Sequence, residues 1–275
     1  MRISIVTLSF NQAQFVQQCV RSVLSQKDVE LELIVVDPGS IDGSREKILA
    51  LVDNRCKILF EPDDGPGDGL NRGFKLATGE ILGFLNADDF LLPGALSQVV
   101  DFFGAHSRCD VVSGRGYRVK VDGTVICRAI PDRLSAWMMA HRACNLCQQS
   151  TFFRRSAYER VNGFNNQNRT CWDGEFFVEM MLAGAVSRTS RLEWSVFRIH
   201  EASISGSGRL NAQYEKDRKR LIRRVLGREE SFIDRYIFWH AYRALRFAKN
   251  PRSFALKIFE IFERRIRKKW MIPLP

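Results

Sequence analysis

The sequence predicts an α/β fold with a mainly parallel central sheet, and three observations support that prediction. The first hundred residues alternate short apolar runs with amphipathic segments, as strands and helices in succession do. The chain has 275 residues and 45% hydrophobic side chains, which is enough for a large domain with a sizeable core. Polar side chains follow four successive predicted strands, so one edge of the sheet is expected to carry the chemistry.

The first half of the chain reads as four strand–helix units in regular order. Each predicted strand is rich in β-branched and other apolar residues, and each predicted helix has apolar residues at helical spacing. The strands are predicted at residues 3–9, 31–37, 56–62 and 80–89. The helices are predicted at residues 15–26, 45–52, 69–78 and from Pro93 onward, since proline is favoured in a first helical turn.

After residue 108 the pattern is less regular. Residues 110–130 predict a pair of extended strands around the Asp122-Gly123 turn, a strong hairpin signal. The later predicted elements are a strand feeding a short helix within 148–164, a helix at 171–185, a strand at 191–200 and helical structure from 212 onward. We find no internal repeat.

Charge divides the chain into two predicted parts, a domain at 1–208 and a basic, mainly helical C-terminal extension at 209–275. The whole chain has a formal net charge of +11. From Arg209 onward there are 19 Lys and Arg against 7 Asp and Glu, so the preceding body is close to neutral. A Ser- and Gly-rich stretch at 201–208 marks the predicted boundary.

Cysteine usage and hydropathy indicate where the chain works. The seven cysteines are irregularly spaced, which favours a reducing compartment over a disulfide framework, and the lone CxxC at Cys144 and Cys147 has no second pair to complete a zinc site. No run approaches the ~18 apolar residues of a spanning helix, and the N-terminus lacks a cleavable signal pattern. We expect a cytoplasmic protein, with a peripheral position at the inner face of a membrane as an open alternative.

Acidic and amide side chains cluster where the predicted strands end. The carboxyl ends of parallel strands meet at one edge of a sheet, and ligands of open α/β sheets bind in the crevice beyond that edge. The residues concerned are Ser9, Asn11, Asp37, Asp63, Asp64, Asn86, Asp88 and Asp89.

The adjacent carboxylates of Asp88 and Asp89 need a positive partner. Mg²⁺ and Mn²⁺ take oxygen ligands and are commonly held by one or two carboxylates together with substrate phosphates. A divalent cation bound with a diphosphate would therefore make the pair tolerable. An alternative is that one of the two acids caps or orients the helix that follows near Pro93.

Four segments in order carry a resemblance to a known family. They are "IVTLSFNQAQFVQQCVRSVLSQ", "LELIVVDPGSIDGS", "EPDDGPGDGLNRGFKLATGEILGFLNADD" and "GFNNQNRTCWDGEFFVEMMLAG", within roughly residues 1–205. Together they resemble the family 2 glycosyltransferases, inverting enzymes with the GT-A nucleotide-sugar-binding fold, and most closely the bacterial members that build surface polysaccharides.

The resemblance implies a donor site and a metal site. Asn86-Ala87-Asp88 matches the family's metal motif, but many members have Asp where this chain has Asn86, so Asp88 is expected to hold the metal. His200 matches a position near the diphosphate and is the second expected metal ligand. The residues that match donor-binding positions are Thr7, Ser9, Asn11, Asp37, Asp63, Asp68, Asn71, Asn86, Ala87 and Asp88.

The resemblance also implies a general base, Asp173. In the family another acid usually precedes this position, whereas this chain has Trp172 there. Glu175, two residues further on, is the reserve candidate, although an acid in a first helical turn can simply complement the helix dipole. Residues 148–151 are expected to contact the acceptor or the donor.

The implied reaction is transfer of a sugar from a nucleotide-diphosphate sugar to an acceptor hydroxyl with inversion, dependent on Mn²⁺ or Mg²⁺. The expected acceptor is a saccharide, and in particular a lipid-linked one used in polysaccharide biosynthesis. Two alternatives stay open. A sugar nucleotidyltransferase would show a Gly-, Arg- and Lys-rich phosphate loop where this chain has "SFNQAQF", and a non-enzymatic nucleic-acid-binding module would use the basic tail but leave the ordered acids unexplained.

The last residues, 253–275, combine an apolar helical stripe with many basic side chains. Such a pattern is typical of a helix lying in a membrane interface, where each Lys or Arg near an anionic leaflet contributes on the order of 1 kcal/mol. We therefore predict an anionic membrane surface as a partner of residues 253–270, with packing of the stripe against the body as the alternative. We expect no nucleic-acid partner.

Overall fold

A nine-stranded sheet runs through the part of the chain that the computed structural model describes, which is residues 1–200, 210–242, 244 and 271–272. The strand order is β3-β2-β1-β4-β8-β6-β9-β5, and β7 pairs with β6 outside this path. The strands are β1 (Ile3–Leu8), β2 (Leu31–Val36), β3 (Cys56–Leu59), β4 (Ile81–Asn86), β5 (Phe90–Leu91), β6 (Val111–Lys120), β7 (Val125–Ala129), β8 (Thr151–Arg154) and β9 (Ser187–Ile199).

Helices cover both faces of this sheet. The α-helices are α1 (Val16–Leu24), α2 (Ser44–Leu49), α3 (Pro66–Leu76), α4 (Ala95–Ala105), α5 (Ala136–Ala140), α6 (Arg155–Glu159), α7 (Trp172–Leu182) and α8 (Asn211–Leu226). Two other helical segments are a 3₁₀ turn at Gln148–Ser150 and a π-helical stretch at Ile233–Phe238.

The first half of the sheet is parallel and buried on both sides. β1 lies between β2 and β4, with Ile5 beside Leu33 and Gly83, and β2 pairs in parallel with β3. Alternate residues therefore enter two different cores. One core holds Ile3 and Ile5 of β1 with α1 and α4, and the other holds Val6 with α3 and α7.

The second half of the sheet mixes directions. β8 runs antiparallel to β4 and β6, and the hairpin of β6 and β7 forms around the predicted turn. β9 runs parallel to β6 along most of its length and also pairs with the short β5. The predicted α/β class with a mainly parallel sheet is confirmed, and β9 is longer than predicted because it follows the whole of β6.

Several local features of the structure differ from the predictions. The helix expected from Pro93 begins at Ala95, after Gly94 in the left-handed region at φ 73°. The helix α5 and the two-residue strand β5 were not predicted, because each is too short to show a periodic pattern.

The described part of the C-terminal extension packs against the body. Leu221, Ile222 and Val225 of α8 form a small apolar cluster with Ala136 of α5 and Val178 of α7. The division at residue 208 stays a prediction, and the proposed membrane segment 253–270 lies outside the described residues. Among the helices that are described, none combines the length and the apolar character required to cross a bilayer.

Glu32 is a buried carboxylate near the amino end of β2, at the opposite end of the strands from the polar residues that follow them. It connects β1, β3 and the segment after α3. Its oxygens accept hydrogen bonds from Lys57 Nζ at 2.6 Å, from Ser4 Oγ at 2.7 Å and from the Thr78 backbone N–H at 2.8 Å. Burial alone would raise the pKa of Glu32, but these hydrogen bonds outweigh it and lower the pKa to about 2. The ionised carboxylate therefore stabilises the folded state.

We predict that Glu32→Gln lowers the free energy of unfolding at pH 7 by about 1–2 kcal/mol, a discounted value because Lys57 is partly exposed. The folded-state pKa lies below the ordinary value of 4.5, so the stabilisation is complete above pH 4.5 and is lost as the pH falls toward 2. Urea unfolding from pH 2 to pH 7 measures this. Glu30→Gln, which changes an exposed carboxylate, is the control. The prediction would be contradicted if Glu32→Gln lowered the free energy of unfolding as much at pH 2 as at pH 7.

Candidate functional site

A cavity of about 700 Å³ opens at the carboxyl ends of the strands. Its wall includes residues that follow β1, β2, β3 and β4, together with residues from β6, β7, β9 and the start of α7. Asp63, Asp88 and Asp173 are the acidic side chains among the described residues that line it. The structure therefore brings the predicted metal ligand and the predicted base to one hollow.

Asp88, which lines the cavity, contacts His200, which does not. His200 Nε2 lies 3.0 Å from Asp88 Oδ2, within hydrogen-bond distance, and the His200 ring packs 5.1 Å from the ring of Phe15. The other carboxylate oxygen, Asp88 Oδ1, is buried and has no hydrogen-bond partner within the described part of the chain. A buried carboxylate oxygen without a partner is costly, which indicates that a ligand completes the site.

The second acid of the pair, Asp89, is held inside the protein. Its Oδ2 accepts a hydrogen bond from Gln149 Nε2 at 2.9 Å, and its Oδ1 accepts one from the backbone N–H of Arg198 at 2.9 Å. Burial and the neighbouring Asp88 raise the pKa of Asp89 well above its usual range. Asp89 orients the surrounding strands and does not cap α4, whose first turn has no side-chain cap.

Arg198 supplies the positive charge beneath the two acids. It is 1% exposed, and its guanidinium donates hydrogen bonds to the backbone carbonyl of Asp88 and to Gln18 Oε1. The guanidinium carbon also lies 4.5 Å from the ring centroid of Phe15 and 5.4 Å from that of Phe90. The turn after β4 is thereby fixed by a cation from β9.

The residues at this turn fit a divalent cation that is shared with a phosphate group. In the parts of the chain described here, no cluster of three or more His, Cys, Asp and Glu side chains could hold a metal alone. Asp88 offers an unengaged oxygen with His200 beside it, and Mg²⁺ or Mn²⁺ commonly combines one or two protein ligands with substrate phosphates.

Asp173 lies in the first turn of α7 and also lines the cavity. Its Oδ1 accepts a hydrogen bond from the backbone N–H of Gly174 at 2.8 Å. Burial raises the pKa of the Asp173 carboxyl, and the hydrogen bond from Gly174 opposes that shift only in part. A carboxylate with a raised pKa in a cleft is a suitable proton acceptor.

Glu175, the reserve candidate for the base, is fully engaged elsewhere. Its Oε1 accepts a hydrogen bond from Asn165 Nδ2 at 3.0 Å. Its Oε2 accepts hydrogen bonds from Asn168 Nδ2 and from Arg220 of α8, the latter at 2.8 Å. The geometry therefore gives Glu175 a structural role, which is to hold the loop before Asp173.

Asp217 of α8 supports the same loop. It is completely buried and accepts hydrogen bonds from Thr170 Oγ1 at 2.7 Å, from the Arg169 backbone N–H at 3.2 Å and from Gln213 Nε2 at 3.0 Å. Thr170 lines the cavity, three residues before Asp173. The first helix of the predicted extension is thus joined directly to the wall of the site.

Five of the predicted donor-binding residues line the cavity, and the other five do not. Ser9, Asp63, Asn86, Ala87 and Asp88 form part of its wall. The Ser9 hydroxyl is buried without a hydrogen-bond partner among the described residues. Burial raises the pKa of the Asp63 carboxyl, which also accepts a hydrogen bond from the Gly65 backbone N–H at 2.8 Å.

Two of the other predicted residues, Thr7 and Asp37, lie behind the wall. Thr7 is fully buried within β1. Asp37 accepts hydrogen bonds from the Ser40 backbone N–H at 2.8 Å, from Ser40 Oγ at 2.6 Å and from Arg45 Nε at 3.0 Å. Asp37 therefore shapes the turn after β2, and the adjacent Pro38 reaches the cavity instead.

The three remaining predicted residues hold loops together. Asn11, at φ 52°, accepts a hydrogen bond from the Ile41 backbone N–H. Asp68 pairs with Arg72 at 2.9 Å, and Asn71 exchanges hydrogen bonds with the backbone of Phe164. These contacts correct the expectation that all ten side chains face the cleft, and direct contact with a donor stays a prediction for them.

Of residues 148–151, two line the cavity and two do not. Gln148 and Gln149 line the cavity, and the side-chain amides of both also donate hydrogen bonds within the protein. The hydroxyls of Ser150 and Thr151 are buried and bonded to Arg115 and Cys147 carbonyl oxygens. Only the two glutamines therefore stay in reach of a ligand.

A family model described as "Glycosyl transferase family 2" matches residues 4–170, more than half of the chain. The chain belongs to glycosyl transferase family 2. The match includes Asp88 and ends before Asp173, which lies in α7, and before His200, which follows β9.

Relatives support the family assignment. An uncharacterized glycosyltransferase of Nostoc sp. is 28% identical over 214 residues, which cover 74% of this chain and 66% of the relative. A "PGL/p-HBAD biosynthesis glycosyltransferase" of Mycobacterium bovis is 32% identical over 182 residues, or 64% of this chain and 68% of the relative. The chain thus spans about two thirds of the length of these family 2 relatives.

Solved structures share the fold at lower identity. Residues 1–349 of S. aureus TarS in complex with UDP-GlcNAc give a TM-score of 0.67 at 17% identity, covering 91% of this chain and 72% of that one. The mannosyltransferase PcManGT of Pyrobaculum calidifontis, in complex with GDP-Man and Mn²⁺, gives 0.62 at 16% identity, covering 95% and 80%. The GT-A-like fold expected for family 2 is confirmed.

Arg198 and Asp217 are residues of the site that were not predicted from the sequence. Arg198 shares the buried face of β9 with Trp194 and Val196, so an arginine at an inward position of a strand was the available signal. Asp217 lies four residues before Leu221 on the buried stripe of α8. A charged residue in an apolar stripe indicates a specific partner.

We predict that Glu175→Ala lowers the free energy of unfolding of this family 2 chain by about 2–3 kcal/mol. The substitution removes the acceptor that Asn165, Asn168 and Arg220 share, and Arg220 keeps only its pair with Asp217. Urea denaturation measures the loss, and hydrogen exchange should rise within residues 165–171. Glu179→Ala, whose partner Arg224 is exposed, is the matched control and should cost no more than about 0.5 kcal/mol. Equal effects of both variants would contradict the role of Glu175.

Proposed function

We propose that this chain is an inverting glycosyltransferase that moves a sugar from a nucleotide-diphosphate sugar to an acceptor hydroxyl. The observation that carries the proposal is that Asp88, with an unpartnered oxygen, and Asp173, with a raised pKa, line one cavity at the strand ends. Family 2 membership supports the same reaction class.

The donor is proposed to bind across the ends of β1–β4. Ser9, Pro38 and Asp63 line that end of the cavity and would surround the nucleoside. Structures with the same fold have been solved in complex with UDP-GlcNAc and with GDP-Man and Mn²⁺, which supports a nucleotide-sugar donor without selecting the base or the sugar.

A divalent cation is proposed to bind with the donor diphosphate at Asp88 and His200. When bound, such an ion would offset negative charge on the leaving nucleoside diphosphate. The neutral Asn86 lines the cavity beside Asp88, so Asp88 would be the carboxylate ligand. Arg198 keeps the turn in place by its hydrogen bond to the Asp88 carbonyl.

Asp173 is proposed to act as the general base. Its carboxylate would accept the proton of the acceptor hydroxyl while that oxygen forms a bond to the anomeric carbon. The bond from the anomeric carbon to the diphosphate breaks, and the electron pair leaves with the nucleoside diphosphate. A single displacement from the opposite face inverts the anomeric configuration.

The acceptor is proposed to be a saccharide, with a lipid-linked one in polysaccharide biosynthesis as the more specific proposal. The specific form derives from the basic amphipathic pattern of residues 253–270, which would bring the enzyme to an anionic membrane surface. Binding of the full chain to anionic vesicles, compared with neutral ones, tests that association.

We predict that the correct nucleotide sugar raises the melting temperature by about 2–5 °C in the presence of Mn²⁺, because it binds only the folded state. A panel including UDP-GlcNAc and GDP-Man, with and without Mn²⁺, measures this. Asp88→Asn should remove the Mn²⁺-dependent part of the rise in melting temperature. Asp101→Asn, which removes an exposed carboxylate on α4, should leave that rise unchanged. The donor site is refuted if no nucleotide sugar stabilises the protein in either condition.

We predict that Asp173→Asn lowers the transfer rate by about 10²–10⁴-fold, while stabilisation by the donor stays within error of the unsubstituted chain. The base must be ionised, and its pKa is raised. The rate of the unsubstituted chain should therefore fall as the pH drops through a value above the usual aspartate range. Glu179→Gln is the control. Loss of donor binding together with transfer would give Asp173 a structural role instead.

A further inference from the structure

Arg118 is the one basic side chain among the described residues that line the cavity. Three carboxylates share that wall, so the arginine would be expected to pair with one of them if they were within reach. It does not: Arg118 is exposed, and its guanidinium makes no hydrogen bond or ion pair with any residue that the structure describes, although its charge acts on the buried Cys147 thiol. Its charge is therefore available to a ligand.

The backbone position of Arg118 is fixed by the strands on either side of β6. It lies in β6 between two neighbouring strands, opposite Cys127 of β7 and Phe197 of β9. Alternation along β6 puts Arg118 on the same face as Gly116. A Cβ atom at Gly116 would lie 3.3 Å from Ser150 Oγ, so that face is turned toward the 3₁₀ segment that carries the two cavity glutamines.

Arg118 lies far from the proposed nucleoside position. In the sheet order β1-β4-β8-β6, three strand spacings separate β6 from β1, or roughly 14 Å at about 4.8 Å per spacing. The cavity-lining residues assigned to the Arg118 end come after the four strand–helix units, and they include Ala129, Phe197 and Gln149. This end of the cleft lies beyond Asp88 as seen from Ser9. An acceptor would enter at this end.

We propose that Arg118 forms an anion-binding subsite for the acceptor, so that the preferred acceptor carries a phosphate or a carboxylate. The inference rests on the proposed function, which gives this end of the cleft to the acceptor. A guanidinium presents a planar pair of N–H donors that matches both kinds of oxyanion in a bidentate manner. In a wall that otherwise carries acids, this single cation selects and orients an anionic acceptor.

Paired probes test the subsite directly. Binding of glucose 6-phosphate is compared with that of glucose, and methyl β-glucuronide with methyl β-glucoside, by ligand-observed NMR titration of the full chain. We expect the anionic member of at least one pair to bind about fivefold to tenfold more tightly, and which pair responds distinguishes phosphate from carboxylate. Arg118→Gln should abolish that preference, and Arg118→Lys should keep part of it. Lys120→Gln, which removes an exposed charge from the same strand, should leave it unchanged.

Two results would overturn the inference. One is equal binding of the anionic and neutral members of both pairs to the unsubstituted chain. The other is a fivefold or greater loss of nucleotide affinity in Arg118→Gln, because it would mean that Arg118 holds the donor diphosphate. The nucleotide-sugar melting screen is independent of these probes. Failure of the proposed function would appear in that screen. Failure of the subsite alone would leave the screen of the unsubstituted chain unchanged and would appear in the paired titrations or in the nucleotide affinity of Arg118→Gln.

Discussion

The contact between Arg198 and the turn after β4 is the interaction on which the site depends. Two adjacent carboxylates at the end of a buried strand would repel each other, and burial would add to the cost. Arg198 enters from β9, about 110 residues later, donates to the Asp88 carbonyl and binds Asp89 through its backbone N–H. Both carboxylate oxygens of Asp89 accept hydrogen bonds from protein groups, whereas Asp88 lines the cavity and has one oxygen without a partner among the described residues.

Buried acids have opposite roles at the amino ends and at the carboxyl ends of the strands. Glu32, at the amino ends of the strands, has its hydrogen-bonding needs met by protein groups, so its charge contributes to stability. At the carboxyl ends, Asp88 Oδ1 and the Ser9 hydroxyl are buried without partners among the described residues. Unpaired buried polar atoms cost free energy, and these two belong to residues that line the cavity, where a bound ligand could complete their hydrogen bonding.

Sequence patterns predict the first half of this protein well because its order is local. Each strand–helix unit has its own periodicity, and the end of each strand falls at the same edge, which is enough to bring Asp63 and Asp88 together. Arg198 and the partners of Glu175 could not be predicted in this way. Their positions depend on β9 lying beside β6 and on α8 returning to the loop before Asp173, and neither pairing leaves a periodic trace in the sequence.

The same contrast separates the two ends of the cleft. The proposed donor end is built from consecutive parallel units, whose strand ends are fixed by the sheet itself. The other end is built from a hairpin, a 3₁₀ turn and a long strand that follows another, and these are held by individual contacts such as that of Gln149 with Asp89. The two ends of the cleft therefore differ in what fixes their side chains. At the proposed donor end it is the sheet itself, and at the other end it is a set of individual side-chain contacts.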